Sequence, residues 1–231
     1  MNVYFISGMG ADGRLFKNII LPKGFQMNFV EWIRPEEDEP IPAYASRLAA
    51  QIDTSHPFIL VGVSLGGIMS VEIAKLFPPV ATIIIGSIPV ARDLPRYYHT
   101  LGQSFGLLKV LPGSFFKKAA SAKRWFTRET KTDKRLIWQM IREADARFLE
   151  WAMKAVLKWE NKELPQPLWH IHGTRDIVFP IRLTRPTHRI RHGDHLVIMT
   201  RAEEVNAILR EILSRLHLDP RHRHPVKLIS P

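Results

Sequence analysis

Cysteine is absent from all 231 residues. That excludes disulfides, thiolate nucleophiles and cysteine-based metal sites, so any covalent catalysis falls to serine. Long apolar runs are also missing: nothing approaches the ~18 residues needed to cross a bilayer, and no transmembrane segment is expected. Residues 2–6 read as a strand rather than as the charged start and apolar middle of a leader, so a cytoplasmic protein is expected. Acidic residues are the third shortage, with 22 Asp and Glu against 33 Lys and Arg and a formal net charge of +11. Such an excess raises nucleic-acid or membrane-surface binding. Its distribution argues against a general nucleic-acid surface. From Arg92 to Lys162, sixteen basic residues stand against seven acidic ones, so most of the excess belongs to one segment. No nucleic-acid-binding motif accompanies it, and no nucleic-acid partner is expected.

What is present is concentrated at residues 58–67, where a β-branched apolar run stops at a serine flanked by glycines. Gly62, Val63, Ser64, Leu65 and Gly66 form a G-x-S-x-G pattern. A strand turning sharply into a helix at this point would hold Ser64 in a strained conformation with its hydroxyl exposed, and glycine at 62 and 66 would let strand and helix approach closely. Alone the pattern is weak, but its surroundings support it. Apolar residues at 68, 71, 73, 74 and 77 follow with helical spacing and end at Pro78 and Pro79.

A serine hydroxyl is a poor nucleophile at neutral pH, so the pattern calls for a histidine base and a carboxylate to orient it, in the chain order Ser, Asp, His. Residues 168–176 read as a short apolar strand running into a polar turn that ends at Asp176. His195 lies in a loop before a closing amphipathic helix with apolar residues at 205, 208, 209, 212, 213 and 216. Asp93, just beyond the fourth expected strand, is an alternative acid.

Together these residues resemble the α/β-hydrolase superfamily over nearly the whole chain. Gly62 to Gly67 is similar to its nucleophile elbow, His172-Gly173-Thr174-Arg175-Asp176 to its H-G-x-x-D acid loop, and Gly193-Asp194-His195 to its histidine loop. Residues 5–16 resemble the oxyanion loop, although Ser7 stands where many relatives have histidine. The resemblance implies a Ser64, His195, Asp176 triad with the N–H groups of Met9 and Leu65 as the oxyanion hole. The complete H-G-x-x-D frame favours Asp176 over Asp93. It further implies acyl transfer from a small carboxylic ester or thioester with no cofactor and no metal, while a lactonase or peptidase stays open. Aspartate rather than serine at the elbow would mark a dehalogenase. A non-catalytic small-molecule receptor on the same fold is the rival reading.

The fold expected is α/β: a doubly wound, mostly parallel sheet lacking the superfamily's first two strands, with an inserted helical cap. Strands are expected at 3–7, 29–33, 58–63 and 80–85 and a helix at 44–52. Residues 1–90 and 163–218 form the expected core, 91–162 the cap with a helical stripe at 136–159, and 219–231 a disordered tail. Trp125, Trp138, Trp151 and Trp159 in the cap either pack or line a substrate pocket. The basic cap raises an anionic or carrier-bound substrate, and His170, His172, His188, His192 and His195 raise a metal site that the triad explains better. Oligomeric state is left open.

Overall fold

The structure is a computed structural model that describes residues 1–96, 98 and 131–218. Trp125, the basic residues from Lys109 to Arg128 and the tail 219–231 lie outside the described residues. Six parallel strands form one sheet: β1 (Asn2–Ile6), β2 (Gln26–Val30), β3 (Phe58–Val63), β4 (Ala81–Ile85), β5 (Leu168–Gly173) and β6 (His188–Ile190), in the order β2-β1-β3-β4-β5-β6. Every residue of β3 and β4 is buried, as expected of central parallel strands covered on both faces. Register runs Phe5 to Val61, Val61 to Ile83 and Ile84 to His170.

Alternation along the strands divides the core in two. Tyr4, Ile6 and Leu60 face α1 (Ile41–Leu48) and α2 (Leu65–Leu76). Val3, Phe5, Ile59 and Val61 face the other way, toward the C-terminal helix through Leu209 and Leu213. Strand order reverses between β1 and β3, which opens a crevice at their carboxyl ends. The loop after β1 and Ser64 after β3 both lie there.

Besides α1, which spans Ile41–Leu48 rather than 44–52, three elements depart from the sequence expectation. Strand β2 begins at Gln26, not at residue 29, because an edge strand tolerates Gln26 and Asn28. Trp32 and Ile33 of the apolar cluster lie beyond it, and the Tyr44 hydroxyl binds both N–H and C=O of Ile33 at 3.0 and 2.7 Å. The stripe at 136–159 is two helices, α3 (Lys131–Glu143) and α4 (Ala146–Leu157), split where the Asp145 carboxylate accepts the Arg147 N–H as an N-cap. The third is β6, whose three residues carry one buried apolar side chain, Ile190, too little for a periodic pattern. The last described elements are a one-turn helix, α5 (Val197–Thr200), and a long one, α6 (Ala202–Leu218). Among the described residues no helix is long and apolar enough to cross a membrane.

The described tryptophans of the segment expected as a cap pack against the rest of the fold. Trp151 donates its indole N–H to the Glu39 carbonyl at 2.8 Å and lies 4.1 Å from the Tyr44 ring, while Trp159 donates to Glu72 at 2.8 Å. Both are buried and Trp138 is half-buried.

Candidate active site

Strand β3 delivers Ser64 into α2 through a tight turn in which Ser64 adopts φ 54°, ψ −118°. This is a costly conformation for a residue with a Cβ, and it persists only where the surroundings enforce it. They do. A Cβ on Gly62 would overlap the Gly66 carbonyl, and one on Gly66 would overlap the carbonyls of Ile6 and Ser7, so the helix start is pressed directly onto β1 and β3. The Ser87 hydroxyl donates to the Ser64 carbonyl at 2.7 Å and fixes the turn from β4. The Ser64 hydroxyl does not cap α2. It lies 3.0 Å from Nε2 of His195 instead.

His195 arrives from the loop between β6 and α5, and its Nδ1 lies 2.9 Å from Oδ2 of Asp176. Asp176 follows β5 and is 4% exposed. Its other oxygen accepts the N–H groups of Val178 and Phe179 at 2.8 and 2.9 Å. Burial pushes the Asp176 carboxyl up, but the charge and hydrogen bond of His195, the neighbouring His172 and the Phe179 N–H outweigh it and hold the group below its ordinary value. The acid is therefore an ionised acceptor at neutral pH, and a neutral His195 donates from Nδ1 and accepts the Ser64 proton at Nε2. Thus three residues from three separate loops form one hydrogen-bonded chain. Asp93 is not part of this chain: its carboxylate lies 4.0 Å from the Arg92 Nε, and burial raises its pKa.

The loop after β1 lies against Ser64, since a Cβ on Gly8 would sit 3.4 Å from the Ser64 Cβ. Met9 follows in that loop, and Leu65 opens α2, where the first N–H groups have no intrahelical acceptor. Two side chains brace the loop. The Ser7 hydroxyl donates to the Ala11 carbonyl at 2.7 Å, and the Trp32 indole N–H donates to the same carbonyl at 3.1 Å. Serine thus supplies a brace at the position where histidine is common in relatives. Neither contact was legible beforehand, because Trp32 reaches the loop only through the β2 crossover.

Behind the acid, β5 buries His170 and His172, with His170 Nε2 2.9 Å from His172 Nδ1. Their alternation on one strand face was visible in the sequence, but not their contact with the acid loop. Among the described residues no group of three or more His, Asp or Glu side chains gathers as a metal site.

The sheet order, the tight turn at Ser64 and the Ser, Asp, His chain are those of the α/β-hydrolase fold. No family model matches it. A pimeloyl-acyl-carrier-protein methyl ester esterase of Neisseria meningitidis serogroup C is 26% identical across 87% of this chain and 85% of that protein. Among solved structures, an esterase from Thermogutta terrifontis with malate bound superposes with a TM-score of 0.73 at 19% identity, covering 94% of this chain and 90% of the esterase. MenH from S. aureus superposes with a TM-score of 0.73 at 15% identity, covering 94% of each chain.

Proposed function

We propose that the protein is a carboxylic ester hydrolase that works through an acyl-enzyme on Ser64. The observation that carries this reading is the unbroken chain from Ser64 through His195 to Asp176, at 3.0 and 2.9 Å, ending on a nucleophile held at φ 54°. Ser64 Oγ attacks the ester carbonyl while His195 Nε2 takes its proton, and Asp176 stabilises the imidazolium without taking a proton itself. The N–H groups of Met9 and Leu65 receive the oxyanion, the second helped by the positive end of α2. His195 then returns the proton to the departing alcohol or thiol. Water, deprotonated by the same base, releases the acid and restores Ser64.

The substrate class is a small ester or thioester. An anionic or carrier-bound acyl chain is supported by the basic segment of Arg92 to Lys162 and by the Neisseria relative, whose named substrate is carrier-bound. The test is a panel of p-nitrophenyl and thioester substrates, neutral and carboxylated in matched pairs, run beside a fluorophosphonate probe. Wild type is expected to hydrolyse members of the panel and to label at Ser64, with Ser64→Ala folded, unlabelled and slower by roughly 10⁴ or more in kcat. A folded wild type that neither labels nor turns over any ester would instead support the receptor reading.

A further inference from the structure

His170 and His172 have no part in the chemistry above, yet their hydrogen bonds fix where their protons lie. His172 Nε2 is 2.7 Å from the carbonyl oxygen of Phe179. A carbonyl only accepts, so Nε2 carries the proton of the neutral ring and Nδ1 is left as an acceptor. His170 Nε2 approaches that Nδ1 at 2.9 Å and therefore donates to it. Two N–H groups thus point in series toward the acid loop.

The last of them reaches two targets. His172 Nε2 is also 3.4 Å from Asp176 Oδ2, the oxygen that accepts from His195. The Phe179 peptide is held twice, its N–H on Asp176 Oδ1 and its carbonyl on His172. The Phe179 ring in turn meets the His195 ring edge-on at 5.6 Å. His172 therefore grips the turn that carries both Asp176 and the aromatic wall of His195, and it presents the positive end of an N–H dipole to the carboxylate. With 0% and 2% of His172 and His170 exposed, water screens none of this.

We propose that His172 is a positioning residue for the hydrolysis described above, holding the Asp176 carboxylate in register with His195, and that His170 fixes its tautomer. This rests on the Ser64, His195, Asp176 reading. The role demands a neutral pair. A second proton on His172 would make a cation that competes with the His195 imidazolium for Oδ2, and among the described residues the charged or titratable groups acting on the pair are His172 and Asp176 at His170, and Asp176 and His195 at His172. Burial lowers the pKa of both: at His170 it is joined by the His172 imidazole, and at His172 it outweighs the Asp176 carboxylate and the Phe179 carbonyl.

A double-mutant cycle tests it. Removing a buried partner of a hydrogen-bonded group is expected to make His172→Leu about tenfold to a hundredfold slower in kcat, with KM nearly unchanged. His172→Gln, whose amide N–H can replace Nε2–H, is expected to recover most of the loss. In an Asp176→Asn background the same His172→Leu change is expected to cost little more, because the group it positions is already impaired. A purely structural role would slow both backgrounds alike and would track thermal stability. Wild-type kcat in folded His172→Leu, or an equal loss in both backgrounds, overturns the proposal. Should His172→Leu not fold, His170→Leu decides: a smaller kcat loss that disappears beside Asp176→Asn supports it, and no loss overturns it. Ser64→Ala runs alongside. Surviving activity there refutes the triad itself, whereas its loss beside an unimpaired His172→Leu refutes only the positioning role.

Discussion

A glycine can matter as much as a nucleophile. At Gly66 any side chain would meet the carbonyl oxygens of Ile6 and Ser7, which are backbone atoms of the central sheet and cannot swing aside. Gly66→Ala is therefore expected to destabilise the protein by about 3 kcal/mol, the upper end of overpacking costs, and to displace Ser64 from His195. Urea unfolding and fluorophosphonate labelling read the two effects separately, and a wild-type midpoint would show that helix and sheet are less tightly apposed than these distances require. The three residues of the hydrogen-bonded chain could be singled out beforehand because each sits in a short local pattern: glycines two before and two after Ser64, a histidine four before Asp176, a glycine two before His195. The supports could not. Ser87, Trp32 and Phe179 act through single hydrogen bonds or ring contacts to residues 16 to 23 positions away, and nothing in their neighbours marks them.

The same distinction holds for elements. Strands β1, β3 and β4 were legible because burial on both faces demands continuous β-branched and aromatic residues, whereas β2 and β6 at the sheet's two edges need only one covered face and carry mixed sequences. The break between α3 and α4 was missed for a similar reason: apolar residues at 141, 144 and 148 keep helical spacing through it, and only the Asp145 cap interrupts the backbone. The loop after β1, proposed above to hold the oxyanion, is the element on which activity should be most finely balanced. Its Ala11 carbonyl takes two donors, Ser7 Oγ and Trp32 Nε1. Ser7→Ala leaves one donor in place, so a loss of about 1 kcal/mol of transition-state stabilisation is expected, roughly fivefold to tenfold in kcat/KM. Trp32→Phe should do the same through the other bond, and the pair together should cost more than the sum, since the loop then has neither brace. Steady-state kinetics on one ester checks this. Simple additivity would show that the two donors do not act on a shared geometry.

Across the whole molecule, the buried histidines make folding answer to pH. The His170 pKa falls from 6.5 to about 3 in the native state, chiefly through burial, then through His172. Between those values the unfolded chain binds a proton at His170 that the native chain refuses. Stability therefore falls as pH falls, beginning near the unfolded value of 6.5 and continuing toward 3, at up to about 1.4 kcal/mol per pH unit. His172 is shifted in the same direction and steepens the decline. Asp176, held below 3.8, acts lower still: its contribution is whole above that value and is lost as pH falls through its native one. All three signs agree, so unlike a protein stabilised by a protonated histidine, this one should gain nothing from mild acid. Urea unfolding midpoints from pH 7.5 to 4.5 measure the slope. Wild type is expected to weaken steadily below pH 6.5, and His170→Leu to flatten a large part of that slope whatever its stability at pH 7.5. The excess of basic residues also repels itself more strongly in acid, but that term is common to both proteins and is screened by 0.5 M salt, where the Debye length is only about 4 Å. A difference in slope between wild type and His170→Leu that survives such salt belongs to the buried ring, and identical slopes would mean that His170 is protonated alike in the folded and unfolded chains.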